Sequence, residues 1–200
     1  TDRRQSMASL VFCTVLLAGA AQAHPPSAVN AKDGEFSTSN PLTRRLDGTG
    51  STTVSSLADI RTAINSATAQ SSLSLYLPAG SVLPLGGSPI VMGPINLQLI
   101  SDGEGAVLDA QHLSRVFELH GTQLLLQSIT LANGHSRSTS GTLLFNGSTT
   151  IATLSGSKIA NSSAQEEGGT IYLDRGTLEL FHSTIINSTC EIDGGVAFLS

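Results

Sequence analysis

Gly141, Gly169 and Gly195 each stand just before a four-residue apolar run, TLLF at 142–145, TIYL at 170–173 and VAFL at 196–199, at spacings of 28 and 26 residues. Asn133, Asn161 and Asn187 keep the same two spacings. Leu126, Leu154 and Leu180 lie seven residues before those asparagines, and Leu131, Ile159 and Ile185 lie two before. Four columns agreeing over three copies mean that the chain returns repeatedly to the same place. A period of 26–28 is too short for a propeller blade and lacks the helical half of a leucine-rich or ankyrin unit. Each copy instead offers about three short strands, in the best case 170–173, 177–180 and 184–186. No strand can bury its apolar face within its own copy, so the copies must stack, each strand pairing in parallel with its equivalent one turn on. The expected fold is all-β, a right-handed parallel β-helix of about five coils from residue 73 onward.

Alternation along the strands assigns the faces. Ile171, Leu173, Leu178 and Leu180 point inward, with Tyr172 and Glu179 outward, and Leu126, Leu154, Leu131, Ile159 and Ile185 join the interior. The Asn column falls at a corner where stacked amides can bond one another. The Gly column supplies bends that a Cβ would obstruct. Ahead of the strands, Leu57, Ile60, Ala63, Ile64 and Ala67 share one helical face, and Ser56 with Asp59 three residues on makes a capping-box start. One short amphipathic helix is expected there, packed on the end of the solenoid.

Composition fits this reading: 40% hydrophobic but only 4% aromatic and 12% charged residues, with 20 Gly, suits short strands and tight turns better than long helices. A net charge of -5 without a Lys/Arg cluster longer than a pair gives no electrostatic footprint for nucleic acid. Arg3 and Arg4, the apolar run at 10–21 and Ala21-Gln22-Ala23 read as a signal peptide over 1–23, with 1–6 upstream of a start at Met7. That run is too short to span a bilayer, which needs ~20 residues. Residues 24–55, rich in Pro, Gly, Ser and Thr without apolar period, read as a disordered linker. The β-helix is expected over 56–200 and onward, in a secreted or cell-surface protein. Cys13 would leave with the signal, so Cys190 stands without a partner and no disulfide framework is expected.

With SLADIRTAI, LYLPAG, DGEGAVLDA, SRVFEL, LLLQSITLANG and the Gly-Gly-x-Ile-Tyr copies on the page, the chain resembles the right-handed parallel β-helix proteins of the pectin-lyase-like superfamily. More narrowly it is similar to polymorphic outer membrane protein-type repeat proteins. The resemblance covers about 56–200 and implies either a polysaccharide lyase or hydrolase, or a non-catalytic surface repeat. The hydrolase motifs it would bring (Asn-x-Asp, Asp-Asp, Gly-His-Gly, Arg-x-Lys) have no match, and Asn133-Gly134-His135 is only an echo of one.

Candidate sites are therefore few. Glu167 and Asp193 each precede a Gly-Gly and would stack ~4.8 Å apart, close enough to share a Ca²⁺ with Glu166 and Glu191 nearby; the competing reading is a solvated turn rim. His112, His120 and His182 share no column with one another, and Arg115 and Arg175 flank strands. Leu144, Tyr172 and Phe198 occupy the column between inward positions and form an outward stripe suited to a sugar ring or a partner, unless a loop such as 133–140 covers it. Asn146, Asn161 and Asn187 open N-glycosylation sequons. The leading expectation is an exported non-catalytic wall for adhesion or glycan contact, possessing no cofactor. The alternatives are a polysaccharide lyase or hydrolase with its active site beyond residue 200, and an autotransporter passenger.

Overall fold

The structure, a computed structural model, describes residues 50–192 and 195–199. The signal at 1–23 and most of the linker lie outside the described residues. Three parallel sheets wind around a common interior in five turns. The first face carries β1 (Thr52–Thr53), β2 (Ser72–Tyr76), β5 (Asn96–Ile100), β8 (Gln123–Gln127), β12 (Ile151–Ser155) and β15 (Thr177–Phe181). The second carries β3 (Val82–Pro84), β6 (Ala106–Asp109), β9 (Ile129–Ala132), β10 (His135–Ser136), β13 (Lys158–Ala164) and β16 (Thr184–Cys190). The third carries β4 (Ile90–Met92), β7 (Phe117–His120), β11 (Leu143–Asn146), β14 (Ile171–Asp174) and β17 (Ala197–Leu199).

The pairing register reproduces the sequence columns. Leu126, Leu154 and Leu180 are consecutive partners, as are Leu131, Ile159 and Ile185. Leu126, Leu154, Leu131 and Ile159 are wholly buried, and Phe117 and Phe145 fill the core against the third face. Leu180 departs from the expectation of a buried residue. It holds the inward register yet is 42% exposed, because β15 has no described strand on its far side. Strands of the third face start one residue later than the apolar runs suggest, at Leu143, Ile171 and Ala197.

The corners explain the rest of the repeat. Asn133, Asn161 and Asn187 have φ of 54°, 56° and 52°, a left-handed conformation that Asn tolerates better than most side chains. Asn187 Nδ2 donates to Asn161 Oδ1 (3.1 Å), Asn161 Nδ2 to Asn133 Oδ1 (3.2 Å), and Asn133 Nδ2 to Asp109 Oδ1 (2.8 Å). The ladder thus reaches one coil earlier than the Asn column, with Asp109 as its first rung. A buried rung also joins the second and third faces, where Thr142 Oγ1 meets Ser162 Oγ at 2.5 Å and Thr170 meets Ser188 likewise. The Gly column answers to close approach: a Cβ on Gly169 would stand 2.2 Å from the Gly195 carbonyl and 2.3 Å from that of Thr189.

At the other end, β1 and the buried Ser51 and Val54 belong to the folded body, so order sets in ahead of residue 56. Composition there is turn-like, but backbone pairing with β2 compensates for the weak apolar content. The helix α1 (Leu57–Ser66) follows, with Ile60 and Ile64 buried and Leu57, Ala63 and Ala67 packed against the core. Its capping box is formed: Asp59 N–H donates to Ser56 Oγ (3.2 Å) and Ser56 N–H to Asp59 Oδ2 (3.0 Å). The Ser56 side chain first, then the Ser55 N–H, hold the Asp59 carboxyl below its ordinary value of 3.8. A depressed carboxyl stabilises the fold above its unfolded pKa, and that contribution is lost as pH falls through the folded value. Thermal melts from pH 6 to pH 2.5 are expected to show a smaller acid loss for Asp59→Asn than for wild type; parallel curves would refute the assignment.

Candidate ligand-binding face

Strand alternation on the third face leaves Val91, Glu118, Leu144 and Tyr172 as consecutive partners in one outward column, and the backbone pairing continues from Tyr172 to Phe198. Leu144 and Tyr172 are half-buried and Val91 is exposed. Register thus sets Leu144 beside Tyr172 between the inward positions, and both are partly covered by their surroundings. Beside this column runs a second outward column of polar groups, His120, Asn146 and Asp174. Apolar and hydrogen-bonding groups thus alternate across the face at ~4.8 Å per coil.

Glu118 joins this face to an open cleft of about 510 Å³ at the corner between the second and third faces, lined among others by His112, Arg115, Glu118, His135 and Arg137. Arg115 builds the cleft. Its Nη1 meets Glu118 Oε1 at 2.7 Å, Nη2 donates to the Thr139 carbonyl (2.7 Å) and to Ser136 Oγ (2.8 Å), and Nε to the Ser140 carbonyl (3.3 Å). The planar guanidinium thereby clamps residues 136–140 onto the strand that carries Glu118. Residues 136–140 are thereby held beside Glu118, while Leu144 and Tyr172 stay half-exposed. His135 Nδ1 lies 2.9 Å from Ser163 Oγ one coil on, which fixes its ring at the cleft wall.

The sequence columns hide this cleft, because apart from Glu118 the partners of Arg115 lie 21–25 residues away, and Arg115 itself belongs to none of the columns. The available signal is the irregular stretch 137–142, whose counterpart one coil on, 165–170, likewise separates two strands without forming a tight turn.

Other expected positions fall differently. Glu167 is half-buried and forms an isolated bridge, its carbonyl accepting from Ser140 N–H (2.9 Å); Asp193 lies outside the described residues. Among the described residues no group of three or more His, Cys, Asp or Glu is gathered to hold a metal ion. His112 and His135 line the cleft, whereas His182 occupies a left-handed corner in the column of Ser128 and Gly156. Asn161 and Asn187 spend their Nδ2 groups in the ladder, and Asn146 is exposed at the end of β11. No helix among the described residues is long and apolar enough to cross a membrane. No known protein family, curated protein or solved structure matches this chain.

Proposed function

We propose that this chain is a non-catalytic solenoid of an exported protein, akin to the surface-repeat branch of the pectin-lyase-like fold, and that its third face binds glycan. The observation that carries the reading is the paired outward columns, apolar through Leu144 and Tyr172 and polar through His120, Asn146 and Asp174. Sugar rings present alternating C–H faces and hydroxyls, and a platform of this kind meets both without a deep pocket. Glycoside hydrolysis would call for two carboxylates about the scissile bond. Of the residues lining the cleft only Glu118 is acidic, and Arg115 already engages it.

Replacing Leu144 and Tyr172 together by Ser is expected to abolish binding on a glycan array while leaving the melting temperature within about 3 °C of wild type. Binding that survives, or a fold that collapses with it, would overturn the reading. In a host that glycosylates secreted proteins, Asn146 is the acceptor, and Asn161 and Asn187 stay unmodified because their amides are engaged. Peptide mass spectrometry finding glycan at Asn161 in preference to Asn146 would contradict this.

A further inference from the structure

We infer that the cleft at the corner between the second and third faces is an anion site, and that its ligand is a sulfate ester carried by a sugar. The chain is acidic, with a net charge of -5, yet the cleft is lined by Arg115, Arg137, His112 and His135 against one acid, Glu118. That acid is neutralised in place by Arg115 Nη1 at 2.7 Å. The second guanidinium is spare: Arg137 is exposed and has neither an ion pair nor a hydrogen bond among the described residues. Its backbone is nevertheless pinned on both sides. Ser138 N–H donates to Ser136 Oγ (3.1 Å), and Arg115 holds Ser136 Oγ and the Thr139 and Ser140 carbonyls. A ligand that meets a cation on a segment already ordered avoids part of the cost of ordering it.

Further donors come from a second segment, 112–114. Gln111 and His112 are consecutive non-glycine residues with φ of 58° and 57°, a combination that costs backbone strain. It is held by Asp109 Oδ1, which accepts from Gln111 N–H (2.8 Å), and by the Asn133 carbonyl, which accepts from His112 N–H (2.8 Å). Ser114 Oγ, at the cleft wall, is buried and has no hydrogen-bond partner among the described residues, although a buried hydroxyl ordinarily has one. His135 engages Ser163 Oγ through Nδ1 and leaves Nε2 uncommitted. A guanidinium, imidazoles and a hydroxyl on two segments suit a tetrahedral oxyanion, which accepts from several directions, better than a planar carboxylate. One spare guanidinium balances the single charge of a sulfate ester, whereas a phosphate monoester carries about -1.5 to -2. That the anion is borne by a sugar rests on the glycan reading above. Glu118, at the cleft, pairs with Leu144 on one side and Val91 on the other in the outward column, so the cleft opens beside the platform, and the exposed Val91 and Leu113 add apolar surface for a ring.

The test measures calorimetric binding of dextran sulfate oligosaccharides to the full chain, beside unsulfated dextran and polygalacturonate. Wild type should bind dextran sulfate at least about tenfold more tightly than either, and inorganic sulfate should compete better than chloride at equal ionic strength. Arg137→Gln is the decisive variant because that side chain holds nothing in the fold. Its melting temperature should stay within about 1 °C of wild type while affinity for dextran sulfate falls at least about tenfold. Lys158→Gln removes the same charge from an exposed position on β13 and should change affinity less than about twofold. Wild type that ignores dextran sulfate, or an Arg137→Gln that binds it undiminished, would overturn the inference. Equal losses in the two variants would overturn it as well, since the attraction would then be diffuse. So would polygalacturonate bound as tightly as dextran sulfate, because the ligand group would then be a carboxylate. The glycan platform fails separately: if Leu144 and Tyr172 can both become Ser without loss of dextran sulfate binding while Arg137→Gln abolishes it, the platform falls and the anion site stands.

Discussion

Leu154→Asp is expected to cost about 4 kcal/mol or more and to leave the protein largely unfolded at room temperature, as an uncompensated charge in an apolar interior does. Leu154 is wholly buried between Leu126 and Leu180 in the register of β12, as part of the apolar core cluster. Glu179→Lys is the control. Glu179 is exposed on the outward side of β15 and accepts one bond from Thr153 Oγ1 at 3.0 Å, so its replacement should stay within about 0.5 kcal/mol. Leu180→Asp, one rung on in the same column, should cost less than half as much as Leu154→Asp because the side chain can still reach water. Urea unfolding of the three variants measures all of this, and equal costs at 154 and 179 would show the parity to be wrong.

Arg115→Ala is expected to be the second most damaging change, at about 3 kcal/mol. The Arg115 side chain is 15% exposed, and its guanidinium supplies donors to the Thr139 and Ser140 carbonyls, to Ser136 Oγ and to Glu118. Removing it strands those acceptors together, and bonds to charged groups are worth about 1.5–3 kcal/mol each before relaxation. Arg115→Lys should recover no more than about a third, because one ammonium cannot span a fork of acceptors on two chain segments. Limited proteolysis should then cut within 136–141 in both variants while leaving the strands of the first face intact. Wild-type resistance in Arg115→Ala would mean that the loop is held by other contacts.

The fold was legible because its regularity is written in single residues. Glycine where backbones touch, asparagine where the chain turns left-handed, and leucine where the interior must be filled recur at the pitch of one coil. Legibility fades toward the first coils, where Asp109 stands in the ladder in place of Asn and the offset from β2 to β5 is 24 residues while that from β5 to β8 is 27. There the same geometry is met by different chemistry, and column-matching has nothing to align. Leu180 shows the same point: a column assigns its inward direction, but burial also needs a coil on each side. The cleft was not legible at all. Apart from its bridge to Glu118, Arg115 makes its bonds across coils to residues 136–140, whose positions depend on the completed stack, and no spacing in the sequence records them. Tyr172 lies between these cases, since alternation alone turns it outward while only the packed face shows how far it is covered.

The near-constant 23–28 residue offset between paired strands has a kinetic meaning as well. Loop-closure entropy grows only with the logarithm of loop length, so adding each coil carries nearly the same entropic barrier, and none requires distant parts of the chain to meet. Folding can therefore advance like a zipper from the end that α1 closes, each finished coil serving as the template for the next. A chain emerging N-terminus first, from a ribosome or a narrow pore, needs only about one repeat of free length before it can lock down another coil. Order would then follow emergence, and the advancing sheet edge would wait only as long as one repeat takes to appear.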